Sequence, residues 1–87
     1  MEYIGERVSV MAAFGEETRF RPVKFKWANR VIVVKTITYS WTNRVGQSKI
    51  YHFSVTDGKT LYELSFNTSS LLWVLEKVET DFQGDMC

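Results

Sequence analysis

The sequence predicts an all-β fold: five or six antiparallel strands in a meander that curls into a small barrel-like sheet. Three observations point there. From Val8 to Val78, β-branched and aromatic residues dominate, and apolar positions mostly alternate with polar ones. Two dipeptides suited to positive φ, Ala28-Asn29 and Asp57-Gly58, sit between such alternating runs, where two-residue hairpin turns need them. The chain has 87 residues, enough for one domain, and its longest uninterrupted aliphatic run is only Val31–Val34.

The elements follow in order. "RVSVMA" makes a first strand, and "FGEETR" a polar loop after it. "RFRPVKFKWANR", residues 19–30, holds five basic side chains and three aromatics around the only proline. With Ala28-Asn29 as its turn, Trp27 falls opposite Arg30, Phe25 opposite Ile32 and Val23 opposite Val34. Lys24 and Lys26 then point to the other side. Pro22 suits a strand start or an edge, where a missing N–H costs nothing.

The next run, "RVIVVKTITYSWT", changes phase near Lys35-Thr36. Ile32 and Val34 share one phase; Ile37, Tyr39 and Trp41 share the other. A bulge or bend reconciles them, as where one strand serves two sheets. "NRVGQSK" reads as a polar hairpin loop. In "YHFSVTDGKTLYELSF", a two-residue turn at Asp57-Gly58 places Thr56 opposite Lys59, Phe53 opposite Tyr62 and His52 opposite Glu63. One face is then apolar and the other mostly polar, as a half-buried hairpin requires.

"SSLLWVLEKVET" allows two readings. As a helix it would carry a stripe of Leu71, Leu75, Val78 and Phe82. As a strand it alternates, follows a four-residue link (Asn67–Ser70) and has only strands for neighbours. Context favours the strand. The expected core is Phe25, Trp27, Tyr39, Phe53, Tyr62, Leu64 and Trp73, inside a single domain ordered over about residues 6–80, with a flexible tail over 81–87.

Composition excludes several chemistries. A chain of this size buries only about 60–65% of its unfolded surface. The single cysteine, Cys87, rules out an internal disulfide, and one Cys with one His cannot complete a four-ligand zinc site. No cofactor is expected, and the scattered glycines form no phosphate-cradling loop. "MEYIGERVSV" is acidic and lacks an apolar core, so a cytoplasmic protein without a signal peptide is expected.

Net charge is +1, yet charge is segregated along the chain. Residues 19–56 carry eight Lys and Arg and no acid, whereas 57–87 hold six acids against Lys59 and Lys77.

Two candidate sites emerge. His52 beside Glu63 is half of a catalytic pair, but Ser54 and Ser65 are merely neighbours, and a solvated cross-strand pair explains the residues as well. No enzyme is expected. The second candidate is a basic face of Lys24, Lys26, Arg30, Arg44 and Lys49, the last two in a nearby loop. Brought together, these cations would hold phosphates with salt-sensitive affinity. Phe25 and Trp27 face the core, so the stacking rings of single-strand binders would have to come from Phe20 or Trp41. The plainer alternative is edge protection by lysines, or pairing with Glu76 and Glu79.

Read as a spaced pattern, "ERVSV", "FKWANR", "ITYSW", "LYELSF" and "LWVLEKV" resemble a poorly characterised family of small bacterial all-β proteins. Phe25-x-Trp27, Arg30, Trp41, Tyr62-Glu63-Leu64 and Trp73-x-Leu75 carry the likeness, over residues 6–78. The family usually has Gly before the arginine and an aromatic near it, where this chain has Asn29 and Val31. Some members are associated with translesion-polymerase-like DNA repair proteins. The resemblance thus implies a nucleic-acid or repair partner, supplies no catalytic residue and supports a strand at Trp73-x-Leu75. The expected function is a non-enzymatic binding or adaptor module whose basic face meets single-stranded nucleic acid or an acidic protein surface. A protein–protein or homodimerisation domain is the alternative. No membrane partner is expected.

Overall fold

The computed structural model describes residues 2–14 and 20–79. Seven strands form one antiparallel sheet: β1 (Glu2–Phe14), β2 (Phe20–Trp27), β3 (Arg30–Val33), β4 (Thr36–Val45), β5 (Ser48–Thr56), β6 (Leu61–Asn67) and β7 (Leu72–Glu79). Across the sheet they run β3-β2-β1-β7-β6-β5-β4. The all-β antiparallel architecture is as the sequence predicts. The count of five or six strands and the barrel are not. "RVIVVKTITYSWT" breaks at the foreseen phase change into β3 and β4, and these two edges do not pair with each other, so the sheet is not closed.

The two edges are nevertheless consecutive in the chain, joined only by Val34 and Lys35. The Val34 N–H donates to Val23 O of β2 at 2.9 Å, and the Lys35 N–H donates to Thr56 O of β5 at 2.9 Å. The sheet therefore curls until its two margins meet at this corner. β1 makes the matching change on the other side, pairing with β7 up to Val8 and with β2 from Ser9 onward. Among the described residues no helix is long and apolar enough to cross a membrane.

The β2–β3 hairpin has the predicted register, with Trp27 opposite Arg30 and Phe25 opposite Ile32. Ala28 (φ 54°) and Asn29 (φ 63°) both occupy the left-handed region, as a two-residue turn of this twist requires.

The β5–β6 hairpin departs from prediction by two residues. Thr56 faces Leu61, Phe53 faces Leu64, and His52 faces Ser65 rather than Glu63. Asp57 is the reason. Its Oδ1 accepts the N–H groups of Lys59 and Thr60, each at 2.9 Å, which stabilises a longer loop over 57–60 in place of the two-residue turn.

Burial works against ionisation of Asp57. The Lys59, Thr60 and Asp57 backbone N–H groups and the Arg30 charge outweigh it, and the carboxyl lies below its ordinary value of 3.8. Folding thus favours ionised Asp57. Its contribution is complete above that ordinary value and is lost as pH falls through the lowered folded one. Asp57→Ala should lower the urea midpoint at pH 7, and that deficit should shrink as the pH is taken down toward 2.5.

The other connections are also local. Gly46 (φ 63°) and Gln47 alone turn β4 into β5, so "NRVGQSK" is mostly strand, and Arg44 and Lys49 lie in strands rather than in a loop. Asn67 Oδ1 accepts the Ser69 N–H at 2.8 Å and the Ser70 N–H at 3.1 Å, which turns the chain into β7. The ambiguous last element is therefore a strand. Most of the "FGEETR" loop and the tail 81–87 lie outside the described residues.

The core joins Phe25 and Ile32 of the β2–β3 hairpin to Phe53, Val55, Tyr62, Leu64, Leu75 and Val78. Phe25 meets Tyr62 edge to face, with ring centroids 5.1 Å apart. Trp27 and Trp73 pack against this cluster partly buried. The Trp27 indole N–H donates to Glu6 Oε1 at 2.9 Å. One expected core residue is misplaced: Tyr39 is 66% exposed. The β4–β5 register slips between Ile37 and Tyr39, so Ile37 faces core Val55 while Tyr39 and Trp41 turn to the outer side with Ser54 and His52.

Candidate functional site

The strand order converts the linear charge pattern into a spatial one. The acid-free segment 19–56 supplies the two strands at each margin, β2 with β3 and β4 with β5. The strand acids Glu2, Glu6, Glu63, Glu76 and Glu79 all lie in the three central strands β1, β6 and β7. Cationic borders thus flank a mixed centre.

Within those borders the five candidate cations fall into three places. Lys24 and Lys26 alternate with Phe25, which is only 2% exposed, so the lysines point outward and the ring inward. Their cross-strand partners are Val33 and Val31 of β3, and across β1 they face Met11 and Ser9. Met11, Val31 and Val33 are all exposed, and a shallow groove of about 340 Å³ runs between Met11, Val31 and the lysines.

Arg30 does not share that face. It stands opposite Trp27, in phase with buried Ile32, and near enough to Asp57 for its charge to act on that carboxylate. Arg44 and Lys49 face each other near the tip of the β4–β5 hairpin, both exposed, with Lys49 Nζ 5.0 Å from the centre of the Tyr51 ring. The basic face read from the sequence is therefore not one patch. Arg19 and the Phe20 side chain lie outside the described residues; Trp41 is half-buried.

The outer face of β4–β7 carries the His52 cluster. Trp41 stacks on His52 with ring centroids 4.9 Å apart and planes 2° from parallel. His52 Nε2 lies 2.9 Å from Asn43 Oδ1. Its Nδ1 is buried without a hydrogen bond, 3.9 Å from Glu63 Oε2. Lys77 Nζ reaches Glu63 Oε1 at 3.6 Å and sits 4.9 Å over the Tyr3 ring.

Ser65, the cross-strand neighbour of His52, donates its hydroxyl to Glu76 Oε2 at 2.7 Å. That proton goes to a carboxylate, not to the imidazole, so the pair is not arranged as nucleophile and base. Among the described residues no group of three or more His, Cys, Asp or Glu could hold a metal ion.

Sequence reading missed the Ser65–Glu76 and Asn43–His52 contacts, since both depend on registers that alternation leaves open. It also missed the apolar patch of Met11, Val31 and Val33. Val31 and Val33 could have been found from the predicted hairpin itself, because they share the phase of Lys24 and Lys26.

No protein-family model, curated protein or solved structure gives a significant match to the chain.

Proposed function

We propose that the chain is a non-catalytic binding module that holds single-stranded nucleic acid along its cationic borders. The observation that carries this reading is the charge partition: both margins of the sheet are free of strand acids, and they are continuous with each other through Val34–Lys35. A flexible polyanion can follow such a path, meeting Lys24 and Lys26 on one border and Arg44 and Lys49 on the other. Exposed Tyr39 and its neighbour Trp41, 5.4 Å apart, offer rings for base stacking on the outer face of the β4–β5 hairpin, the face opposite to Arg44 and Lys49. The likeness to small bacterial all-β proteins associated with DNA repair supports the same partner, in the cytoplasm.

Fluorescence anisotropy with a labelled single-stranded oligonucleotide tests it. With about four phosphate contacts, affinity should fall about 50-fold between 50 and 200 mM salt, following a log–log slope of about −2.8. Absence of binding at the lower salt ends this reading.

A second reading rests on Met11, Val31 and Val33, exposed between the lysines. An acidic protein surface with apolar contacts would fit there, and its affinity would respond to salt far less steeply.

A further inference from the structure

We propose that β4 is the docking edge for a second copy of this chain, which adds its own β4 antiparallel across a twofold axis at Thr42. β4 is the terminal strand of the sheet, paired only with β5. It is ten residues long, and all but Ile37 and Trp41 are exposed. Such an edge offers a row of unpaired backbone donors and acceptors, which proteins ordinarily blunt with lysine, proline or shortness. The opposite edge is blunted: β3 has four residues, opens on Arg30 and is followed closely by Lys35. β4 contains no proline, lysine or acid, and its only charge is Arg44.

The edge is self-complementary. Its regular part runs from Tyr39, just past the register slip, to Val45, just before the Gly46–Gln47 turn. Thr42 is the midpoint of that stretch. A twofold axis perpendicular to the sheet keeps the outer face outer, so position 42 faces itself and each position pairs with its mirror about 42.

Tyr39 then meets Val45 of the second copy, and Val45 meets its Tyr39. These are the two large hydrophobics on β4 that stand most exposed, at 66% and 64%. Aromatic and β-branched side chains are a favourable cross-strand pair. Trp41 meets Asn43, Thr42 meets Thr42, and Arg44 meets Ser40, so no like charges oppose. Tyr39, Trp41 and Arg44 of this edge also serve the nucleic-acid reading, but Lys24 and Lys26 lie in β2 and the dimer test uses no nucleic acid, so either reading can fail without the other.

Disulfide trapping reads the register directly. Facing residues in a strand pair have Cβ atoms about 4.5–5.5 Å apart, close to what a disulfide spans. Thr42→Cys, made with Cys87→Ser to remove the native thiol, should convert mostly to a covalent dimer under mild oxidation. Ser40→Cys in the same background should stay monomeric, because its two copies would lie about 13 Å apart along the pair. Sedimentation of the unaltered chain should give a dimer mass at high micromolar concentration, and Thr42→Pro should reduce it to the monomer. A monomer mass for the unaltered chain at every concentration overturns the proposal. So does trapping of Ser40→Cys as readily as Thr42→Cys.

Discussion

Phe25→Ala is expected to remove a large share of the stability of the fold. Phe25 is 2% exposed and sits where the β2–β3 hairpin closes over the rest of the sheet, edge to face on Tyr62. Removing a buried phenylalanine costs about 3–5 kcal/mol, from lost transfer energy and from the cavity left behind. A chain of 87 residues has about 4–13 kcal/mol in all. The substitution therefore takes a large share of the total, and at the lower end nearly all of it. Urea unfolding followed by tryptophan fluorescence should show a midpoint well below that of the parent chain. Val31→Ala is the comparison. It lies on the same hairpin but is 61% exposed, and it should change stability by less than about 0.5 kcal/mol. Equal effects at the two positions would mean that the hairpin does not close the core.

Charge reversal at Lys24 and Lys26 should produce the largest change in binding. Both point away from the core, so Lys24→Glu/Lys26→Glu should leave the circular dichroism spectrum unaltered. Two phosphate contacts vanish and two repulsions replace them. Single-stranded DNA affinity at low salt should drop about 10- to 100-fold, and the salt slope should become shallower by about 1.4, at about 0.7 per lost contact. Reversal at Arg30 should do less, because that guanidinium already has Asp57 nearby. If the lysine double variant binds as tightly as the parent, the cations are only a solvated border.

The three hairpins show how far local pattern reaches. At residues 22–34 the turn residues and the alternation agree, and the register follows to the residue. At 50–65 the alternation correctly divided the inner from the outer face. It could not separate two registers differing by two residues, since both put the same side chains on the same face. Only the turn decides between them, and Asp57 extends that turn by accepting two backbone N–H groups.

At 36–45 a single slipped residue sends Tyr39 outward and leaves Ile37 inward, and nothing in "TITY" marks it. Strand order was not legible at all. β1 lies at the centre because its two halves pair with different partners, β7 and β2, and that is a matter of packing rather than pattern. The charge segregation was visible along the chain. Its division between two hairpins, with Arg30 turned to another side, needed the fold.

The corner at Val34–Lys35 also bears on how the chain reaches this arrangement. Every strand except β3 touches its successor in sequence or, for β7, its successor around a circle, since Glu2 of β1 faces Val78. A circular permutant that starts at Lys35 and links the present ends with a short flexible loop would turn the whole sheet into an uninterrupted up-and-down ribbon. The most distant pairing, β1 with β7, would become a local one. Lower contact order speeds folding, so the rearranged chain should refold faster than the parent while keeping the same neighbours in the sheet.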